Sequence, residues 1–309
     1  MKRFQNILVA ADTRHSDHPI VEEAASVAYF NRASLTIVDI VPEFTGSVKR
    51  KLSDHEYLTG LITKEKEEKL EQLAEPVRKK GIKVTTKLLR GKTSVEIVRQ
   101  VVSGEYDLVF AVAKGQYSTQ TGFFGQTATR LLRQCPGAVW LVASGTSANF
   151  KHVLGCVDTS STKPLDVELN EKVYELSKSI SQYHDSRFSI LHAWTFQDEA
   201  LLSNRLKPEA LAEYEKDQRE YTAKLFDTFL RQHDSRFPGE NVHLIKGKPP
   251  VAIPDFVHEN EVDLVVMGTV ARSGLFGMIT GNTAEKILGR IECSVLALKP
   301  YSFVSPISN

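Results

Sequence analysis

The chain repeats itself once, and that repeat limits the folds open to it more than any other feature. Asn6-Ile7-Leu8-Val9-Ala10-Ala11-Asp12-Thr13 returns as His152-Val153-Leu154-Gly155-Cys156-Val157-Asp158-Thr159. Leu88-Leu89-Arg90-Gly91-Lys92 returns as Leu244-Ile245-Lys246-Gly247-Lys248, and Tyr106-Asp107-Leu108-Val109-Phe110 as Val262-Asp263-Leu264-Val265-Val266. Gly125-Gln126-Thr127-Ala128 returns as Gly281-Asn282-Thr283-Ala284. The last three pairs share one spacing and the first is shorter, so the second copy carries extra residues between its first and third strands. A period near domain length describes two domains of about 150 residues each rather than a solenoid of short stacked units. The expected domains are 1–146 and 147–309, joined through the polar stretch Ser144-Gly145-Thr146-Ser147-Ala148-Asn149-Phe150-Lys151.

Each copy alternates short apolar runs with helical patterns. In the first, 6–12 reads as a buried strand and 18–32 as a helix with Ile20, Val21, Ala24, Ala25, Val27 and Ala28 inward. Strands follow at Leu35–Val41, Val84–Leu89, Leu108–Val112 and Ala138–Val142, with helices over about 54–80, 94–102 and 125–134. The run Lys64-Glu65-Lys66-Glu67-Glu68-Lys69 reads as a solvated helix face. The second copy keeps this order, with a long helical stretch over about 198–233 and a last strand at Ser294–Leu298. Continuous apolar strands separated by helices predict an α/β fold of two doubly wound, parallel, five-stranded sheets. The two last strands are apolar edges. Pairing them would cover both, which places Val139, Leu141, Val295 and Ala297 at an inter-domain interface and packs the halves as a pseudo-dimer.

Composition narrows the class. Of 309 residues, 41% are hydrophobic and 25% charged, ordinary globular usage, and the net charge of +1 creates no global field toward nucleic acid or membrane. The first half is net basic and the second net acidic. Three cysteines, none in a C-x-x-C pair, argue against a disulfide framework and fit a reducing compartment. With no signal-peptide pattern and no membrane-length apolar run, the expected location is cytoplasmic.

The chemistry-bearing stretch is Val265 to Glu285. An apolar strand stops at Gly268; Gly274, Gly277 and Gly281 follow; a helix pattern then starts with Asn282 and Thr283 as capping residues and Ala284, Ile287 and Leu288 on one face. Strand, glycine loop and helix start can bring phosphate against backbone N–H groups. The same glycines could serve only a tight turn. In doubly wound sheets ligands sit at the carboxyl ends of the strands. Asp158 and the His192-Ala193 end of the second strand reach that edge beside the loop. Asp158 reads either as an acceptor for a ribose or cation or as a helix N-cap.

On these residues the chain resembles a tandem universal stress protein. The resemblance covers nearly the whole sequence: strand one ending at Asp12 or Asp158, the Gly91 and Gly247 turns, the Asp-Leu-Val fourth strands and the glycine loop. It implies the adenine-nucleotide alpha-hydrolase-like fold, a stress-tolerance role, and ATP, with Mg, held with its phosphates on the loop and adenine against backbone after the second strand. The family's nucleotide-binding members carry Gly-x-x-Gly, nine residues, then Gly followed by Ser or Thr. Gly268 takes the first position and Gly281 the third. Ala271 stands at the second and Asn282, followed by Thr283, at the hydroxyl position, while Gly274 and Gly277 compensate within the loop. Arg272 reads as a phosphate partner or as a solvated side chain. The first copy is degenerate, with Val112, Gly115, Gly125 and Gln126 at the matching places. The expected binding residues are therefore Asp158, Ala193, Gly268, Ala271, Arg272, Gly274, Gly277, Gly281, Asn282 and Thr283, all in the second half.

Other chemistries find no pattern. Gly91-Lys92-Thr93 lacks the leading glycine of a P-loop and reads as a turn. Neither a Gly-x-Ser-x-Gly elbow nor a dinucleotide fingerprint is present, and His15 and His18 read as polar loop decoration rather than a metal pair. The expectation is a non-enzymatic nucleotide binder, with at most slow ATP hydrolysis, no nucleic-acid or membrane partner, and homodimerisation open. The alternative is a nucleotide-free scaffold for another small ligand or a protein.

Overall fold

The structure, a computed structural model, describes residues 4–15, 18–41, 55–115, 122–143, 149–196, 202, 204–269 and 281–307. The described residues form two compact units. The first comprises Met1–Asn149, Ser294–Ala297 and Tyr301–Asn309, and the second Phe150–Cys293 and Leu298–Pro300.

In the first unit the order is β1 (Asn6–Ala10), α1 (Pro19–Asn31), β2 (Ser34–Val41), α2 (His55–Lys79), β3 (Val84–Arg90), α3 (Thr93–Ser103), β4 (Leu108–Val112), α4 (Gln126–Gln134) and β5 (Ala138–Val142). Strands run in the order β3-β2-β1-β4-β5 and pair in parallel. Ile7, Leu8 and Val9 of the central strand are wholly buried because helices cover both sheet faces, which is why these strands read as continuous apolar runs. All six inward residues expected on α1 are buried. The helix ends at Arg32, which adopts the left-handed conformation (φ 53°).

The unit gains a sixth strand from the far end of the chain. β10 (Ser294–Leu298) pairs antiparallel with β5, with Val295 opposite Leu141 and Ala297 opposite Val139. Ala143 N–H donates to Ser294 Oγ at 3.0 Å beside that ladder. The four residues expected at this contact are thus register partners, and all are buried.

The second unit repeats the grammar: β6 (His152–Val157), α5 (Pro164–His184), β7 (Arg187–Trp194), α6 (Pro208–Arg231), β8 (Val242–Lys246), α7 (Pro249–Glu259), β9 (Leu264–Gly268) and α8 (Asn282–Leu288). Its parallel order is β9-β6-β7-β8. The extra residues of this copy lie largely in α5, which has 21 residues against 13 in α1. The long helix is shorter than its pattern suggested. It starts at Pro208, because proline favours the first helical turn and Lys207 before it is extended (φ −66°, ψ 149°).

The duplication is visible in single hydrogen bonds. Asp107 Oδ2 accepts from the N–H of Gln5 and Asn6, and Asp263 Oδ2 from Lys151 and His152. Gly91 N–H donates to Val41 O, and Gly247 N–H to Trp194 O. Both glycines hold positive φ (132° and 153°), the backbone region that makes glycine the residue of this turn.

Candidate functional site

The carboxyl ends of β6, β7 and β9 form one edge of the second unit. Register puts Val157 beside His192, and Cys156 beside Met267. Asp158, Ala193 and Gly268 therefore follow from three adjacent strands onto that edge. This grouping is what the sequence anticipated.

Asp158 is held from two sides. Its N–H donates to Asn170 Oδ1 at 2.9 Å, and Asn170 Nδ2 donates to its carbonyl at 2.8 Å. Its carboxylate accepts from Ser160 N–H (3.2 Å) and Ser160 Oγ (2.7 Å). The helix-cap reading of Asp158 is thereby corrected: Lys163 is the N-cap of α5, and Asp158 closes an Asx turn instead.

His192 is buried under Phe226, with ring centres 5.7 Å apart. Nδ1 lies 3.1 Å from Val157 O and 3.4 Å from the N–H of Thr159. Burial holds the pKa below the ordinary histidine range, against the opposing Val157 bond, so the ring is neutral near pH 7. Thr159 is 9% exposed, and its hydroxyl has no hydrogen-bond partner among the described residues.

The glycine loop is anchored at both ends. Thr269, fully buried, donates through N–H (3.1 Å) and Oγ1 (3.3 Å) to Leu298 O. Gly281 N–H closes the loop onto Thr269 O at 2.8 Å. The first unit holds the same closure: Gly125 N–H donates to Ala113 O at 2.8 Å. Gly268 packs against α5, where a β-carbon would overlap Leu169. Asn282 does not cap α8. Gly281 is the N-cap, without a side-chain cap bond, and Asn282 and Thr283 form the exposed first turn. The physical reason is that the loop closure places the helix start one residue earlier, so the amide side chain falls inside the helix. Ala271, Arg272, Gly274 and Gly277 lie outside the described residues.

The same edge of the first unit is built differently. Asp39, aligned with His192, is buried in the apolar strand β2, and its Oδ2 accepts from Lys66 Nζ (2.5 Å), Thr13 Oγ1 (2.5 Å) and Thr13 N–H (3.0 Å). Its Oδ1 accepts from Ile40 N–H at 2.6 Å. Lys66 is 8% exposed, so the solvated-face reading of its run fails at this residue. Lys66 shares the stripe of Leu70, Ala74 and Val77 that packs α2 inward. That i, i+4, i+8, i+11 spacing, with a lone carboxylate inside β2, was the signal available in the sequence. Nearby, burial raises Asp12, but bonds from Arg14 (2.7 Å from Nε) and its charge outweigh this and hold the carboxyl below its usual range. His18 Nε2 lies 3.0 Å from His15 O.

The three thiols are buried, and burial raises Cys156 strongly and pushes Cys293 up to about 12, so neither is a thiolate nucleophile near neutrality. A groove of about 730 Å³ lined by Pro254, Asp255, His258, Glu259, Arg290 and Glu292 lies toward the amino end of β9. None of the candidate residues lines it, and ligands of parallel sheets gather at the opposite edge. No described helix is long and apolar enough to cross a membrane.

The model of the universal stress protein family matches residues 3–143 and again 149–299. Universal stress protein E of Salmonella typhi is 28% identical over 316 residues, spanning 99% of this chain and 98% of its own length, and that of Escherichia coli K12 is 27% identical over 317. Among crystal structures, a functionally unknown protein from Pseudomonas aeruginosa PAO1 superposes with a TM-score of 0.71 at 20% identity, covering 97% of this chain and 94% of that one. A universal stress protein from Archaeoglobus fulgidus DSM 4304 superposes with 0.63 at 16% identity, covering 96% and 99%.

Proposed function

The chain belongs to the universal stress protein family, and from that premise we propose that its second half binds ATP or a related adenine nucleotide as part of a stress response. The observation that carries the reading is the loop closure at the strand edge. Gly281 N–H on Thr269 O ties the two ends of the glycine segment to the carboxyl end of β9, beside Asp158 and Ala193. The orphaned, buried hydroxyl of Thr159 on the same edge fits a site that takes a polar ligand.

In this reading residues 1–146 and 147–309 are the two functional halves. The nucleoside lies along Asp158 and Ala193, and the phosphates, with Mg, lie against the backbone between Gly268 and Thr283, including Ala271, Arg272, Gly274 and Gly277. The protein binds without turnover, in the cytoplasm.

Native mass spectrometry of the purified full chain, followed by calorimetric titration with Mg-ATP, tests the proposal. A bound adenine nucleotide, or saturable binding to the second half, supports it. Release of a different small molecule, or no binding at millimolar ATP, favours the nucleotide-free scaffold.

A further inference from the structure

The two strand-end edges differ at one matched pair of threonines. Thr13 and Thr159 follow the matched aspartates Asp12 and Asp158. In the first unit the Thr13 hydroxyl bonds to Asp39 Oδ2 at 2.5 Å, with Lys66 Nζ at 3.4 Å, and Thr13 is 2% exposed. In the second unit the place of Asp39 is taken by His192, whose Nδ1 lies 3.1 Å from Val157 O. At the spacing that pairs Gly125 with Gly281, the place of Lys66 is taken by Thr222, whose hydroxyl bonds its own helix at Gln218 O (2.8 Å). The Thr159 hydroxyl is left without a partner among the described residues although the residue is 9% exposed. A buried hydroxyl without a bond is costly, and native folds keep few such groups without a use.

We infer that Thr159 is a ligand-contacting residue of the second half, and that Lys66 and Asp39 withdraw its counterpart Thr13 from that role. The first half fills its strand-end edge with its own alkylammonium group. In the second half the Thr159 backbone lies against His192, whose neutral ring is buried under Phe226, surroundings that suit an uncharged hydrogen-bonding group such as a nucleoside base edge or sugar hydroxyl and disfavour a buried phosphate charge. This rests on the nucleotide reading above and specifies which part of the molecule meets which residue.

The test uses the full chain and its Thr159→Val, Thr159→Ser and Thr13→Val variants, each measured for thermal unfolding without ligand and for Mg-ATP binding by calorimetry. Thr159→Val replaces an unpaired hydroxyl by a methyl group of the same shape, so ligand-free Tm is unchanged or raised, while ATP binds about 5- to 30-fold more weakly. Thr159→Ser keeps the hydroxyl and holds affinity within about threefold of the parent. Thr13→Val breaks a made bond at a buried carboxylate, lowers Tm by several degrees and leaves ATP affinity unchanged. If Thr159→Val lowers Tm as much as Thr13→Val, or leaves ATP affinity intact, the assignment is wrong while the nucleotide site stands. If the parent protein itself does not bind ATP, the nucleotide reading fails first and takes this assignment with it.

Discussion

Leu169 stands where a β-carbon on Gly268 would have to go. The Leu169 side chain, from the second turn of α5, meets the backbone at the end of β9, so a β-carbon at this position would force the leucine to shift. Gly268 therefore has a packing role whatever the loop after it binds. The expected consequence is that Gly268→Ala destabilises by about 1–3 kcal/mol, the usual cost of overpacking. Leu169→Ala in the same chain recovers part of that loss, because the two changes share one contact. Urea denaturation of the four-member cycle measures the coupling; strictly additive losses would refute the contact.

Nucleotide binding is expected to be asymmetric. Gly281→Val places a branched side chain at the loop closure of the second half and abolishes ATP binding, whereas Gly125→Val at the matching closure of the first half leaves most of it. Calorimetric titration of both variants reads the difference. Equal loss from both would mean that the halves contribute alike.

β10 covers the edge of β5 through the pairs Val295–Leu141 and Ala297–Val139. A fragment ending at residue 148 keeps β5 but loses that cover. An exposed apolar edge strand recruits further strands, so the fragment self-associates or aggregates under conditions where the full chain stays dispersed. A monomeric fragment at high concentration in sedimentation equilibrium would contradict this.

Acid lability is expected to begin in the second repeat. Burial lowers the pKa of His152, His192 and His243. The groups around them are specific. His152 Nδ1 lies 2.9 Å from Asn260 O and its Nε2 lies 2.9 Å from Ser189 Oγ. The Arg187 charge opposes protonation of both His152 and His243, and Asp263 favours it at His152. Because the folded values are depressed, the unfolded chain binds more protons below about pH 6.5. The stability these neutral rings carry is complete above that pH and is lost as pH falls toward their folded values. Hydrogen exchange followed by mass spectrometry at pH 7.5 and pH 5.0 should show β6, β7 and β8 losing protection before β1, β2 and β4. Uniform loss across both repeats would count against the histidines.

Much of the fold was legible in advance because a parallel sheet buried on both faces writes itself as uninterrupted apolar runs. Leu108–Val112, Ala138–Val142 and Ser294–Leu298 are strands with the expected bounds. Helix ends were less legible. The charged pattern before Pro208 continues without a break in polarity, and only the backbone geometry at Lys207 places the start of α6. The candidate site was legible only as a set of strand ends, because the alternation of strand and helix puts every β-to-α connection at one edge. The orphan hydroxyl of Thr159 was not, since a threonine after an aspartate looks the same with or without a partner.

The sequence by itself determined the duplication, the alternation of elements and the place of the glycine loop, all of which depend on residue order within one segment. Tertiary structure alone decided three things that depend on distant segments meeting. It put β10 antiparallel on β5, because an apolar edge specifies that it must be covered but not by what. It assigned Gly268 to packing through Leu169, because close approach of a helix leaves no trace in the strand's own pattern. It turned Lys66 inward onto Asp39, because one lysine in a charged run becomes buried only when the helix rotates its apolar stripe onto a strand that carries the opposite charge.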